Sequence, residues 1–177
     1  MEPDIAEEPQ TNPSEQEKFP FAAACLRAEK TALHLIARAE QNVSGLSRKL
    51  EKRGHDSACI QTVIARLCEA GLLDDRRYAR LWLGSRINQR AASPRRLFAA
   101  LCSRGIDHDD AEAVLKETLD DETEQRLLER YAQKLQFRRK NSEDDSPAAA
   151  RRSLRYTLKS EGFSSAAIQC YFDNQEI

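Results

Sequence analysis

Eight arginines lie between positions 76 and 104 (Arg76, Arg77, Arg80, Arg86, Arg90, Arg95, Arg96 and Arg104), and no aspartate or glutamate stands among them. The guanidinium group is planar, permanently charged and forked, so it holds phosphates and carboxylates through paired hydrogen bonds. Like charges four apart on a helix, such as 76/80 and 86/90, repel each other mildly. Such a run is tolerated where a partner compensates it. The chemistry implied is recognition of a polyanion, either nucleic-acid phosphates or an acidic protein surface. The block alone does not separate the two. Arg48, Lys49, Lys52 and Arg53 form a second basic group, and Arg151, Arg152, Arg155 and Lys159 a third.

Catalysis finds less support. The sequence contains no phosphate-binding loop, dinucleotide fingerprint, zinc-protease motif or nucleophile elbow. Asp74-Asp75 is a tempting carboxylate pair, but it directly precedes a helical pattern, where capping explains it better. The five cysteines (25, 59, 68, 102 and 170) lack C-x-x-C spacing and mostly occupy apolar slots. They are expected to be buried, reduced thiols. The three histidines show no ligand spacing, so no metal, no cofactor and no enzymatic activity are expected. Tyr78 and Trp82 have aromatic faces suited to stacking on bases, but their helical spacing suits core packing.

The net charge is −1, which excludes any global argument for a polyanion partner. Locally the charge is segregated. Nine acids and one base stand from Asp107 to Glu124, then six bases and one acid from Arg126 to Lys140. Residues 1–20 carry six acids against Lys18 and few apolar side chains, which predicts a disordered acidic tail. No stretch reads as a membrane span or a leader, so a cytoplasmic protein is expected.

The elements that must present these charges recur three times. Relative to Gly54, Gly105 and Gly162, a leucine stands four residues earlier (Leu50, Leu101, Leu158) and another eight earlier (Leu46, Leu97, Leu154). Six residues later come Ile60, Ala111 and Ile168, and nine and ten later Val63-Ile64, Val114-Leu115 and Tyr171-Phe172. The spacing before each glycine is one helix face, and the glycine suits a left-handed terminator. Asp56, Asp107 and Ser164 are placed to cap the next helix. Ser93-Pro94 and Ser146-Pro147 read as cap plus first-turn proline opening the second and third copies. Longer helical patterns precede the copies, at 22–41, 75–90 and 121–140, and "NSEDDS" (141–146) reads as a polar loop. The expectation is an all-α chain of three tandem three-helix repeats (21–71, 72–119 and 120–177) in an elongated, curved array, monomeric because its ends are its own.

Two stretches, "LIARAEQNVSGLSRKLEKRG" (35–54) and "VIARLCEAGLLDDRRYARLWLGSR" (63–86), resemble the RecX family of recombination regulators. Arg38, Glu40, Leu46, Lys49, Leu50 and Gly54 match the family's first block. Leu72, Leu73, Asp74, Asp75, Arg77, Tyr78 and Ala79 match its second. "SPRRLFAALCSRGID" (93–107) and "LRYTLKSEGFSSAAI" (154–168) resemble the next two, so the likeness spans about residues 30–175. Ala39 and Gln41 depart from the usual Arg and His. Gly45 stands where Glu is common and weakens its helix start slightly, and Ser93 replaces a Gly harmlessly. The resemblance implies three three-helix units. It implies binding to the RecA–DNA filament, touching RecA and single- or double-stranded DNA, with restraint of filament growth, ATPase and strand exchange. The eight arginines of 76–104 are the first candidates for that contact and Arg48, Lys49, Lys52 and Arg53 the second. A helical DNA-binding module acting without RecA, and a scaffold for another acidic protein, are the rival readings.

Overall fold

The computed structural model describes residues 18–139 and 146–174, and in it every anchor glycine occupies the left-handed region, with φ of 77° at Gly54, 87° at Gly105 and 90° at Gly162. The residue after each glycine donates its N–H back to the leucine four before the glycine: His55 to Leu50, Ile106 to Leu101 and Phe163 to Leu158. That is the bond by which a left-handed residue closes the exposed carbonyls of a helix end. Gly71 (φ 67°) makes a fourth such turn, with Leu72 N–H donating to Leu67.

The described helices are α1 (Lys18–Arg38), α2 (Val43–Glu51), α3 (Ser57–Glu69), α4 (Asp75–Gln89), α5 (Pro94–Cys102), α6 (His108–Thr118), α7 (Asp121–Arg139), α8 (Pro147–Ser160) and α9 (Ser165–Asp173). The all-α expectation is borne out. Asp56, Asp107 and Ser164 each cap the following helix through the side chain, as do Asp74, Ser93 and Ser146. Helix α1 differs from the predicted 22–41: it starts at Lys18 and stops at Arg38. At the stop the Gln41 amide donates to the Ala39 carbonyl, standing in for the next helical N–H, and also to that of Leu35, which keeps the Ala39 N–H. The acidic-tail reading (1–20) falls mostly on residues 1–17 and the loop reading (141–146) mostly on 141–145, both stretches outside the described residues.

Two compact units divide at Leu73/Asp74. In the first, α1 lies against α2 and α3, burying Leu46, Leu50, Ile60, Val63 and Leu67. In the second, one apolar cluster runs from Ala79 to Phe172 and takes in Leu97, Leu101, Val114, Leu127, Leu158 and Ile168. The copies read at 72–119 and 120–177 therefore share a single core. The repeated leucine slots are all among the buried residues. Gly45 has a role that its weak helix propensity conceals: a Cβ there would stand 2.5 Å from Asn42 Oδ1. Asn42 is the buried N-cap of α2, so a larger residue at 45 would require its side chain to shift.

Two of the thiols meet inside the first unit. Cys25 donates to Cys59 at 2.8 Å, and Cys59 lies 3.8 Å from the Phe21 carbonyl it faces as donor. Both are buried, whereas Cys68 and Cys170 are exposed and Cys102 is half-buried, which corrects the expectation that the thiols are buried throughout. The bond to Cys25 and then burial push the Cys59 thiol up to about 11. Because the folded thiol keeps its proton where an exposed cysteine ionises, its stabilising contribution holds below about pH 9 and is lost as pH rises toward about 11. A thiol-disulfide reagent at neutral pH should modify Cys68 and Cys170 fast, Cys102 more slowly, and Cys25 and Cys59 only on unfolding. Equal reaction of all five thiols in the native chain would contradict this packing.

Candidate functional site

The eight arginines of 76–104 sit on α4, on α5 and in the segments that follow each of those helices, all within the second unit. They do not form one uncompensated strip. Helix α6, which carries the start of the acidic run, packs against α4. Arg76 Nε meets Asp110 Oδ1 at 2.6 Å and Arg80 Nε meets Glu117 Oε2 at 3.1 Å. The bond to Asp110 raises the Arg76 pKa further above its ordinary value. The expected i, i+4 repulsion is therefore relieved within the chain for the 76/80 pair, because the acid run folds back onto the basic one. Both pairs are about half-exposed, so their contribution to stability is small. Their main effect is to neutralise two of the candidate charges.

Trp82 organises two more. The Arg104 guanidinium lies 4.3 Å from the Trp82 ring centre and that of Arg86 lies 5.4 Å away. Tyr78 and Trp82 are half-buried against the core, so the packing role expected of them is borne out. Arg77 is half-buried beside the Asp74 cap, whose carboxylate accepts its backbone N–H. Asp74 is thus a helix cap, as its position suggested. Arg90 is exposed just past α4, whose last carbonyls, at Ile87 and Asn88, accept from Arg130 on α7.

Arg95 and Arg96 are set by a junction that local sequence does not reveal. Ser93 is fully buried. Its hydroxyl donates to the Glu161 carboxylate and accepts from Arg96 N–H. The Arg95 N–H donates to the Glu161 carbonyl at 3.0 Å, and Arg96 Nε lies 3.7 Å from Glu161 Oε2. The positive N-terminus of α5 is thus closed by a carboxylate from the end of α8. Gly162 is set by its φ of 90°, which a residue with a side chain adopts only under strain, while a Cβ there would meet Arg95 N at an ordinary contact distance of 3.5 Å. Burial first, and then the Glu161 charge, raise the pKa of the nearby Tyr131 hydroxyl. The junction joins residues 68 apart.

The second candidate group lies on and just after α2, in the other unit. Lys49 Nζ donates to Gln41 Oε1 at 2.6 Å, while Arg48 and Arg53 turn back to carbonyls of their own helix, at Ser44 and Lys49. Lys52, at the end of α2, is exposed. The third basic group, on α8, stands outside the site that the sequence predicts. Arg151 and Arg155 there lie over the Phe172 ring, at 5.2 and 4.8 Å. The available signal is their arginine-rich spacing. The aromatic anchor, on another helix, leaves none. Among the described residues no cluster of His, Cys, Asp or Glu could hold a metal ion, and no helix is long and apolar enough to cross a membrane.

The chain is thus an all-α protein of capped, glycine-terminated helices with arginine-rich surfaces. The comparisons make the class specific. A family model described as RecX, second three-helix domain, matches residues 74–115. The regulatory protein RecX of Treponema pallidum is 38% identical over 118 residues, covering 67% of this chain and 72% of that protein. That of Halorhodospira halophila is 33% identical over 149 residues, covering 83% and 87%. The crystal structure of RecX from Lactobacillus salivarius shares the fold, with a TM-score of 0.71 at 21% identity over 88% of this chain and 98% of that one. A second crystal structure, of a regulatory protein RecX, gives 0.76 at 20% identity, covering 96% and 81%. The chain belongs to the RecX family of regulatory proteins.

The junction yields a stability test. Glu161→Ala leaves the buried Ser93 O–H without its carboxylate acceptor and should cost about 1–3 kcal/mol in urea unfolding. Arg96→Ala, at a largely exposed side chain, should cost less than about 1 kcal/mol. Equal and small losses for the two would show that the carboxylate does not hold α5 to α8.

Proposed function

We propose that the chain binds the RecA–DNA filament in the cytoplasm and restrains its extension, ATPase and strand exchange, so regulating DNA repair and recombination. The observation that carries this reading is similarity over most of the chain to proteins named as RecX regulators, joined to arginine-rich surfaces that suit a polyanionic filament. The role is binding rather than catalysis, and no step of bond making is assigned to any residue.

Within that reading the contact is made by the arginines the fold leaves exposed. Arg90 and Arg95 at the ends of the α4–α5 connection are placed to reach a partner, with Arg86 and Arg104 steadied by Trp82. Arg76, Arg80 and Arg96 contribute more to positioning, because their guanidinium groups are engaged near Asp110, Glu117 and Glu161, and Arg77 is half-buried on the same helix. Arg48, Lys49, Lys52 and Arg53 form a subsidiary contact.

RecA's single-stranded-DNA-dependent ATPase, titrated with the chain well below one per RecA protomer, tests the proposal. Loss of ATPase at such ratios is the expected result. An effect that appears only when the chain rivals the DNA in amount would point instead to a DNA-binding module acting without RecA.

A further inference from the structure

We propose that Cys25 and Cys59 are a modification site, where a hydroperoxide oxidises the two thiols to a disulfide that staples α1 to α3. The inference concerns the first unit alone and stands apart from the filament reading.

Three observations carry it. First, the two sulfurs lie 2.8 Å apart although the residues are 34 apart in sequence. A disulfide is about 2.05 Å long, so bond formation asks for a movement of less than about 1 Å.

Second, the packing around the pair is built for closeness. Helix α1 buries Cys25, Ala28 and Ala32 in the core of this unit, and it lies against α3. Small side chains at a contact let two helices approach. Cys59 stands in the first turn of α3, where the Asp56 cap accepts its backbone N–H at 3.4 Å. The cap therefore fixes the position from which the Cys59 side chain meets Cys25.

Third, the pair has an entrance at a helix end. Pro20, Phe21, Ala22 and Ala23, ahead of Cys25, are exposed, and the Phe21 carbonyl is 3.8 Å from the Cys59 sulfur. Helix ends open at little cost, and opening of these first turns of α1 bares Cys25. Hydrogen peroxide, close to water in size, needs no more than that. A bulkier disulfide reagent needs unfolding.

The chemistry balances with hydrogen peroxide as the oxidant. The bond to Cys25 and then burial make Cys59 hold its proton more tightly than an ordinary thiol, so Cys25 is the attacking sulfur. It takes one oxygen of the peroxide, the other leaves as water, and a sulfenic acid forms. The Cys59 sulfur then displaces that hydroxyl, which takes the Cys59 proton and leaves as a second water. Two thiols are oxidised and one peroxide is reduced. A dithiol reductant reverses the change by thiol–disulfide exchange.

The test uses the full chain carrying Cys68→Ser and Cys170→Ser, which removes the two exposed thiols. After peroxide treatment, alkylation and tryptic digestion, mass spectrometry should find peptide 19–27 joined to peptide 54–66 with two hydrogens lost. Dithiothreitol should separate them. Oxidation should raise the melting temperature of the first unit by roughly 10 °C, because the bond constrains the unfolded chain. Cys25→Ala, matched in size to Ala28 and Ala32, should lose both the link and the shift. The peptide readout keeps both cysteines in place, so it decides the matter however that variant folds. Sulfinic or sulfonic acid at either residue without a link, or both thiols still free after prolonged treatment, would overturn the proposal. So would a linked chain that melts no higher than the reduced one.

Discussion

Everything the second unit displays depends on one carboxylate at the end of α8. Glu161 receives the hydroxyl of fully buried Ser93, accepts the Arg95 N–H through its carbonyl, and lies near the Arg96 guanidinium. A buried hydroxyl without a partner is costly, and the first turn of a helix favours negative charge. Both demands are met by the same side chain. The next residue, Gly162, supplies the left-handed turn that ends α8 at this junction. The third copy of the helical unit is thereby locked to the second, and Arg95 is fixed at their junction.

The same economy governs the charges. A chain with a net charge of −1 presents cationic surface only by segregating its acids, and segregated acids seek the nearest bases. Helix α6 takes Arg76 and Arg80 out of play, while Glu161 engages Arg96. Aromatic rings hold four other guanidinium groups. Trp82 steadies Arg86 and Arg104, and Phe172 steadies Arg151 and Arg155. An arginine over a ring keeps its full charge toward a partner, whereas an arginine on a carboxylate does not.

The helical unit repeated around Gly54, Gly105 and Gly162 is legible in sequence because capping and left-handed termination are local, and each depends on a few adjacent residues. The buried leucines follow from the same periodicity. What is not legible is long-range. The Ser93–Glu161 bond and the Arg76–Asp110 pair join positions 68 and 34 apart, so the run of eight arginines looks uncompensated in sequence when part of it is not. Gly45 reads as a small defect there, because the closeness of Asn42 Oδ1 depends on the cap's side-chain position. The basic run on α8 is visible as charge, but its packing over Phe172 is not, since that ring lies on α9.

The affinity of the full chain for RecA–single-stranded-DNA filaments, assembled with a slowly hydrolysed ATP analogue, can be measured against the same DNA bare across a salt series. A filament regulator with protein as well as DNA contacts should bind the filament at least about tenfold more tightly, a difference of about 1.4 kcal/mol, and should retain that preference as salt rises. Equal affinities with the same salt slope would contradict the account and leave a helical protein that recognises DNA alone.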